Sequence, residues 1–328
     1  MTSLELVCPA GTPAALKAAV DSGADAVYLG FRDSTNARNF PGLNFSRPEL
    51  DQGISYAHDR NCKVFLAINT FPKAGDAKPW HQAVSDGASA GVDAVILADI
   101  GLLDYATKKY PDLRRHLSVQ ASASNPDAIA FYQEAFDVKR VVLPRVLSIA
   151  EIASLNKEIS VETEVFVFGG LCVMAEGRCA LSSYVTGQSP NMNGACSPAC
   201  AVNYEETDDG KMTSKLGEFT INSFGVDEPA GYPTLCKGRF VANGKTSYLF
   251  EDPVSLNTAL ILPELAAAGV TGLKIEGRQR GKAYIAEVVS SFRKAVDSLD
   301  KGQLVVSDLN KVAEGQQNTA GVYNKTWR

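Results

Sequence analysis

Apolar residues in the first half of the chain fall into short runs separated by amphipathic segments. The runs at 4–7, 26–29, 63–68, 94–97, 117–120, 140–143 and 162–168 predict strands. The segments between them, at 13–22, 48–60, 80–90, 101–109, 126–135 and 148–157, predict helices. Thr12-Pro13, Ser46-Arg47-Pro48 and Asn125-Pro126 supply the cap and first-turn chemistry that helix starts require. The phrases Ser22-Gly23-Ala24-Asp25-Ala26-Val27 and Ala90-Gly91-Val92-Asp93-Ala94-Val95 each read as a helix end, a loop and a strand, and Ala268-Gly269-Val270-Thr271-Gly272-Leu273 echoes them. Short connections between alternating strands and helices mean parallel β/α units. With an eighth strand at 272–275 and a long helix at 280–299, the count predicts a TIM-like (β/α)8 barrel. An open doubly wound sheet fits less well, because no G-x-G-x-x-G follows the first strand.

The repeat breaks at 169–253, which predicts a cysteine-rich, partly β insertion. A hairpin signal, Asn243-Gly244, lies there between runs at 239–242 and 247–250. Residues 254–268 predict the penultimate helix. The expected organisation is a barrel from 1–168 and 254–300, an insertion at 169–253 and a polar C-terminal extension at 301–328.

In such a barrel the polar residues at strand C-terminal ends face the active site. Asn69 closes the third strand, Asp99 the fourth and Gln120 the fifth; Arg145 follows the sixth, and Lys274 and Glu276 close the eighth. Asn36, Arg38 and Asn44 sit in the loop after the second strand. Asn36, Arg38, Asn44, Asn69, Gln120, Arg145 and Lys274 are therefore candidate substrate-binding residues, and amides with guanidinium groups suit a small anionic, oxygen-rich ligand. Glu276 and Asp99 are the candidate catalytic carboxylates. Each of these residues also has a structural reading, as a loop cap or, for Lys274 and Glu276, as one half of a buried ion pair.

Five of the seven cysteines, Cys172, Cys179, Cys196, Cys200 and Cys236, fall within one stretch that begins in an apolar run ending Gly169-Gly170-Leu171-Cys172. Disulfides belong chiefly to small secreted chains, and this one has 328 residues and no secretory pattern. Zinc sites usually pair cysteines in tight knuckles, whereas four thiolates around an iron–sulfur cluster need no such spacing. Glycines beside Cys172, Cys179 and Cys196 would let backbone N–H groups approach cluster sulfurs. Iron–sulfur binding leads, with zinc and buried structural thiols as alternatives. Cys8 and Cys62 read as small buried hydrophobes.

Composition narrows the field. Net charge is −5 with dispersed Lys and Arg, which argues against a nucleic-acid-wrapping surface. No apolar run approaches the length of a membrane span, and the first residues enter a strand directly, so a cytoplasmic protein without a targeting peptide is expected. Histidine is scarce: His58, His81 and His116, each read as a surface or packing residue. A general acid or base is then expected to be a carboxylate or a tyrosine.

The motif Glu164-x-Phe166-x-x-Gly169-x-Leu171-Cys172-x6-Cys179 resembles the signature of the collagenase-like peptidase family U32. Cys8-Pro9-Ala10-Gly11, Gly23-Ala24-Asp25-Ala26-Val27-Tyr28, Ser118-Val119-Gln120-Ala121-Ser122 and Leu143-Pro144-Arg145 resemble its N-terminal half. Asn191-x-x-Gly194-Ala195-Cys196-Ser197-Pro198-Ala199, Gly231-Tyr232-Pro233-Thr234-Leu235-Cys236-Lys237-Gly238-Arg239 and Lys274-Ile275-Glu276-Gly277-Arg278-Gln279-Arg280 resemble one branch of it. That branch is required for oxygen-independent hydroxylation of the ubiquinone ring. The resemblance covers about residues 4 to 300 and implies a 4Fe–4S cluster on Cys172, Cys179, Cys196 and Cys236. It further implies a heterodimer with a UbiV-like protein, prephenate as oxygen donor, and a lipid-carrier accessory protein for the quinone precursor. Cys200 is a thiol that the resemblance does not require. Proteolysis finds no support in the residues, whereas RNA-base hydroxylation, as in other branches, and a non-catalytic redox or structural role are the alternatives.

Overall fold

The computed structural model describes residues 4–172, 179–190, 195–228 and 230–324. Its centre is a closed ring of eight parallel strands: β1 (Glu5–Pro9), β2 (Ala26–Leu29), β3 (Lys63–Ile68), β4 (Ala94–Leu97), β5 (Arg115–Leu117), β6 (Val138–Val142), β7 (Glu162–Gly170) and β14 (Gly272–Ile275). Consecutive strands pair in order, β14 pairs with β1, and β14 with β7 completes the barrel. Around it lie α1 (Pro13–Asp21), α2 (Arg47–His58), α3 (Lys78–Ala90), α4 (Ile100–Lys109), α5 (Pro126–Phe136), α6 (Ile149–Glu158), α8 (Leu262–Ala267) and α9 (Lys282–Asp300). The insertion contributes α7 (Ala180–Thr186), a three-stranded antiparallel sheet of β8 (Val202–Glu206), β9 (Met212–Leu216) and β10 (Phe219–Phe224), and a hairpin of β11 (Arg239–Ala242) and β12 (Lys245–Tyr248). Asn243 and Gly244 both take positive φ at the hairpin turn, as their sequence signals.

Local chemistry explains the helix starts. Thr12 and Asn125 accept hydrogen bonds from their first-turn amides ahead of a proline, and Ser46 and Ser148 form capping boxes with Glu49 and Glu151. Strand side chains alternate between two cores. Leu6, Val27, Leu29, Val64 and Leu66 pack outward against the helices, while Val7, Ala26, Tyr28, Phe65, Ala67, Ala94 and Ile96 fill the barrel from the β1–β4 side.

The other side of the interior is charged. Arg140 on β6 bonds Glu5, Glu162 and Glu164, and Glu164 also takes Lys274 Nζ at 2.5 Å. Burial alone would push the Glu164 carboxyl up, but Lys274 and Arg140 hold it below its usual range. His116 lies in the same interior, edge-on to Phe65, with Nε2 accepting from Arg114 Nε at 3.1 Å. Burial, and then the cations Arg140, Arg114, Lys274 and Lys63, drive its pKa well below the ordinary value.

Three expectations changed on folding. The predicted strand at 117–120 stops at Leu117, because Ser118 Oγ accepts from Gln120 N and turns Val119–Ala121 into a 3-10 helix. Residues 254–268 are not one helix: β13 (Ser255–Asn257) first pairs antiparallel with the end of β7, and α8 follows. The polar tail also packs back onto the fold. Leu309, Ala313 and Tyr323 are buried, Tyr323 OH donates to Phe166 O at 2.7 Å, and β15 (Asn318–Thr319) pairs with β13.

Arg140→Met strips buried Glu164 of one partner and should cost about 3–5 kcal/mol in urea unfolding; a loss under about 1 kcal/mol would show that the network adds no stability. His116 is neutral in the folded chain but binds a proton near pH 6.5 when unfolded. Stability should therefore fall as pH drops below about 6.5, by at most about 1.4 kcal/mol per pH unit from this group. His116→Leu should flatten that slope between pH 6.5 and 5 in parallel denaturation series.

Candidate functional site

A cavity of about 70 Å³ opens at the C-terminal ends of the barrel strands. Tyr28, Arg38, Asn69, Ser118, Gln120, Arg145, Lys274, Glu276 and Arg278 line it, with Phe166 and Val142 as apolar wall. Among these described lining residues four are cationic and one is a carboxylate, with Glu164 beneath Lys274 as a second acid. Cations thus outnumber carboxylates among the described lining residues.

Glu276 sits among cations. Its Oε1 lies 3.5 Å from Arg38 Nε, and its Oε2 accepts from Gly170 N at 3.3 Å. Burial opposes the charge, yet Arg38, Arg145 and the Gly170 amide hold the carboxyl below its usual range. Arg145 donates to the Gly170 carbonyl and lies over the Phe166 ring at 4.5 Å. Arg278 is buried, donates to Asn36 Oδ1 at 3.2 Å, and is drawn by burial down to about 10, still charged at neutral pH. Lys274 Nζ stands 4.0 Å from the Tyr28 ring; burial lowers its pKa against the pull of Glu164. Tyr28 OH donates to Ile275 O at 2.9 Å, which seats the ring under the mouth. Gln120 Oε1 is buried and has no hydrogen-bond partner among the described residues, so it is available to a ligand donor.

The expected residues divide in two. Arg38, Asn69, Gln120, Arg145, Lys274 and Glu276 meet at the cavity. Asn36 and Asn44 do not line it; they build the loop that carries Arg38. Asn36 donates to Phe31 O and accepts from Arg38 N at 3.0 Å, while Asn44, at φ 70°, donates to Arg38 O at 2.7 Å. Asp99 likewise proves to be a cap: α4 starts at once after β4, and Asp99 Oδ1 accepts from Leu102 N at 2.9 Å. Lys274 and Glu276 are both paired, but with Glu164 and Arg38 rather than with each other. Tyr28, Ser118 and Arg278 are cavity residues that the strand-end rule missed. Tyr28 was legible from strand parity, since Ala26 and Tyr28 share one face of β2.

No disulfide joins any of the seven cysteines. Cys172 is exposed two residues past β7, Cys179 precedes α7, and Cys236 sits in a 3-10 turn. Burial pushes the Cys236 thiol up to about 12, and its charge neighbours are Cys172, Cys196, Lys237 and Cys179. Cys200 is exposed and lies near Tyr232, whose OH donates to Ser197 O at 2.8 Å. Cys8 and Cys62 are buried in the outer core. The Gly177-Arg178 and Asn191-to-Gly194 parts of the cysteine motifs lie outside the described residues. Among the described residues, no three His, Cys, Asp or Glu side chains converge tightly enough to hold one metal ion.

The histidines stand away from the cavity. His58 bonds Asp93 at 2.8 Å on the surface, His81 stacks on Tyr105, and His116 is enclosed in the barrel.

Fold and site together define a (β/α)8-barrel protein with a cationic cavity at its mouth and a cysteine-bearing insertion after the seventh strand. The chain belongs to peptidase family U32, whose model matches residues 11–326. It is 32% identical over its whole length to an uncharacterized protease of Methanocaldococcus jannaschii, and 32% identical over 95% of its length to tRNA hydroxylation protein P of Escherichia coli. It spans 72% of each of those relatives. A 23S rRNA 5-hydroxycytidine C2501 synthase of Escherichia coli is 28% identical over 92% of this chain and 41% of its own. No helix among the described residues is long and apolar enough to cross a membrane.

Gly11 passes so close to the site that a Cβ there would lie 1.6 Å from Arg278 O. Gly11→Ala should cost at least about 1–3 kcal/mol and lower Tm measurably; an unchanged Tm would mean that the Arg278 segment is free to shift.

Proposed function

We propose that the chain is the iron–sulfur component of an oxygen-independent hydroxylase. The observation that carries this reading is that Cys172, Cys179 and Cys196 lie within electrostatic reach of Cys236. A multi-iron cluster is wider than one ion, so its four thiolates need not meet at a point, and the set fits a 4Fe–4S group on Cys172, Cys179, Cys196 and Cys236. Such a group supplies single electrons when bound. The chain's own residues would do the rest. Arg38, Arg145 and Lys274 would bind and orient a small carboxylate, Gln120 would take its hydroxyl donor, Asn69, whose Oδ1 accepts from Ala37 N at 3.0 Å, would donate through Nδ2, and Glu276 would hold or accept a proton beside it. The histidine placement gives a peptidase reading no hydrolytic pair at this cavity.

Hydroxylation proteins among the relatives support the reaction class. For the substrate, the motif resemblance favours ubiquinone biosynthesis, with UbiU (ubiquinone biosynthesis protein U) as counterpart, a UbiV-like partner, a lipid-carrier accessory protein and prephenate as oxygen donor. The 32% identity to tRNA hydroxylation protein P favours a second reading, hydroxylation of an RNA base. An acidic chain without a concentrated basic stripe is less suited to holding RNA by itself.

Iron analysis after anaerobic purification tests the cluster. About four irons per chain are expected in the wild type and in Cys200→Ser, and less than half of that in Cys172→Ser, Cys179→Ser, Cys196→Ser or Cys236→Ser. Full iron in any of those four would remove that ligand. Complementation of a strain lacking the gene, grown without oxygen, separates the substrates: restored ubiquinone supports the first reading, and restored RNA hydroxylation the second.

A further inference from the structure

The cavity and the cysteine-bearing segment share one residue, Gly170. β7 runs past the closed barrel to Gly169-Gly170, and Cys172 follows two residues later. The Gly170 N–H donates to Glu276 Oε2 at 3.3 Å, and the Gly170 carbonyl accepts from Arg145 Nη1. Both side chains line the cavity. Gly169 takes φ +122°, and a Cβ on it would lie 2.6 Å from Glu276 O, so the strand can pass here only as glycine. The N–H and C=O of Gly170, which belong to the peptide groups on either side of it, are therefore held from the cavity side, by one acid and one base of the candidate binding site.

We propose that Glu276 and Arg145 are positioning residues for Cys172, and that an anion seated in the cavity shifts the Cys172 segment by competing for them. The reasoning is geometric. A carboxylate takes a guanidinium through two parallel bonds, so a ligand anion beside Arg145 competes with the Gly170 carbonyl for the same donors. The same anion repels Glu276, which holds the Gly170 amide. Because only Leu171 separates Gly170 from Cys172, a change at Gly170 reaches the thiol with little slack. The inference rests on the reading of the cavity as an anion site and goes beyond it, by making ligand capture and cysteine placement a single equilibrium.

The test is hydrogen exchange at the Gly170–Cys172 amides of the anaerobically purified full chain, with α1 as a control for folding. Glu276→Ala should speed that exchange on the order of tenfold. Glu276→Gln, which keeps an acceptor, should restore most of the protection. Arg145→Lys should fall between the wild type and Arg145→Ala. Malonate, as a probe dicarboxylate, should change exchange at these amides in the wild type but not in Arg145→Ala, and should alter the EPR signature of the iron-loaded chain. Wild-type exchange in both alanine variants with α1 intact would overturn the proposal. So would malonate binding by calorimetry with no change at Gly170–Cys172, or no malonate effect of any kind. An iron-free preparation would count against the cluster reading alone, because the exchange measurement needs no iron.

Discussion

The length of one strand sets the architecture of both barrel and site. β7 has nine residues where its barrel neighbours have three to six. Its first part pairs with β6 and β14 and closes the ring. Its last part has outrun the barrel, so its edge takes β13 in the antiparallel sense, and its final glycines bend over Glu276. Barrel closure, the root of the insertion and the roof of the cavity are thus three consequences of one run of backbone hydrogen bonds. The C-terminal tail depends on the same feature, since β15 docks on β13 and Tyr323 on Phe166.

The interior of the barrel is divided by chemistry. Aromatic and small apolar side chains from β1 to β4 fill one half, whereas His116, Arg140, Glu164 and Lys274 occupy the other. Buried ions are costly unless each is paired, and here each carboxylate serves two cations or each cation several acids. The network also grades the charge of the cavity. Glu164 keeps Lys274 in place at the floor, and above it Arg38, Arg145 and Arg278 leave a positive excess that only an incoming anion can balance. A structural plug at the bottom of the barrel therefore shapes the electrostatics at its top.

The family carries a peptidase label, while relatives at 28–32% identity bear the names of RNA-hydroxylating proteins. The described site is not built around histidine. Its groups are guanidinium, ammonium, carboxylate and amide, set beside a thiol-bearing segment, and its histidines are elsewhere. The cavity is small, and its lining comes from several strands.

What the chain's own pattern could determine was local. Strand and helix periodicity, proline and serine caps, and the count of β/α units specified a closed barrel, because each depends only on residues a few positions apart. Strand ends and the loops that follow them pointed to Arg38, Asn69, Gln120, Arg145, Lys274 and Glu276 for the same reason. Whether an asparagine faces a ligand or folds its own loop depends on where a loop of seventeen residues, 30–46, doubles back, so Asn36 and Asn44 were decided only in three dimensions, as was Asp99 once α4 began beside it. The pairing of Lys274 with Glu164, 110 positions away, and the clasp of Gly170 between Arg145 and Glu276 belong wholly to tertiary structure. Those contacts join elements that meet only when the ring closes, and no short-range pattern encodes which partner a buried charge will find.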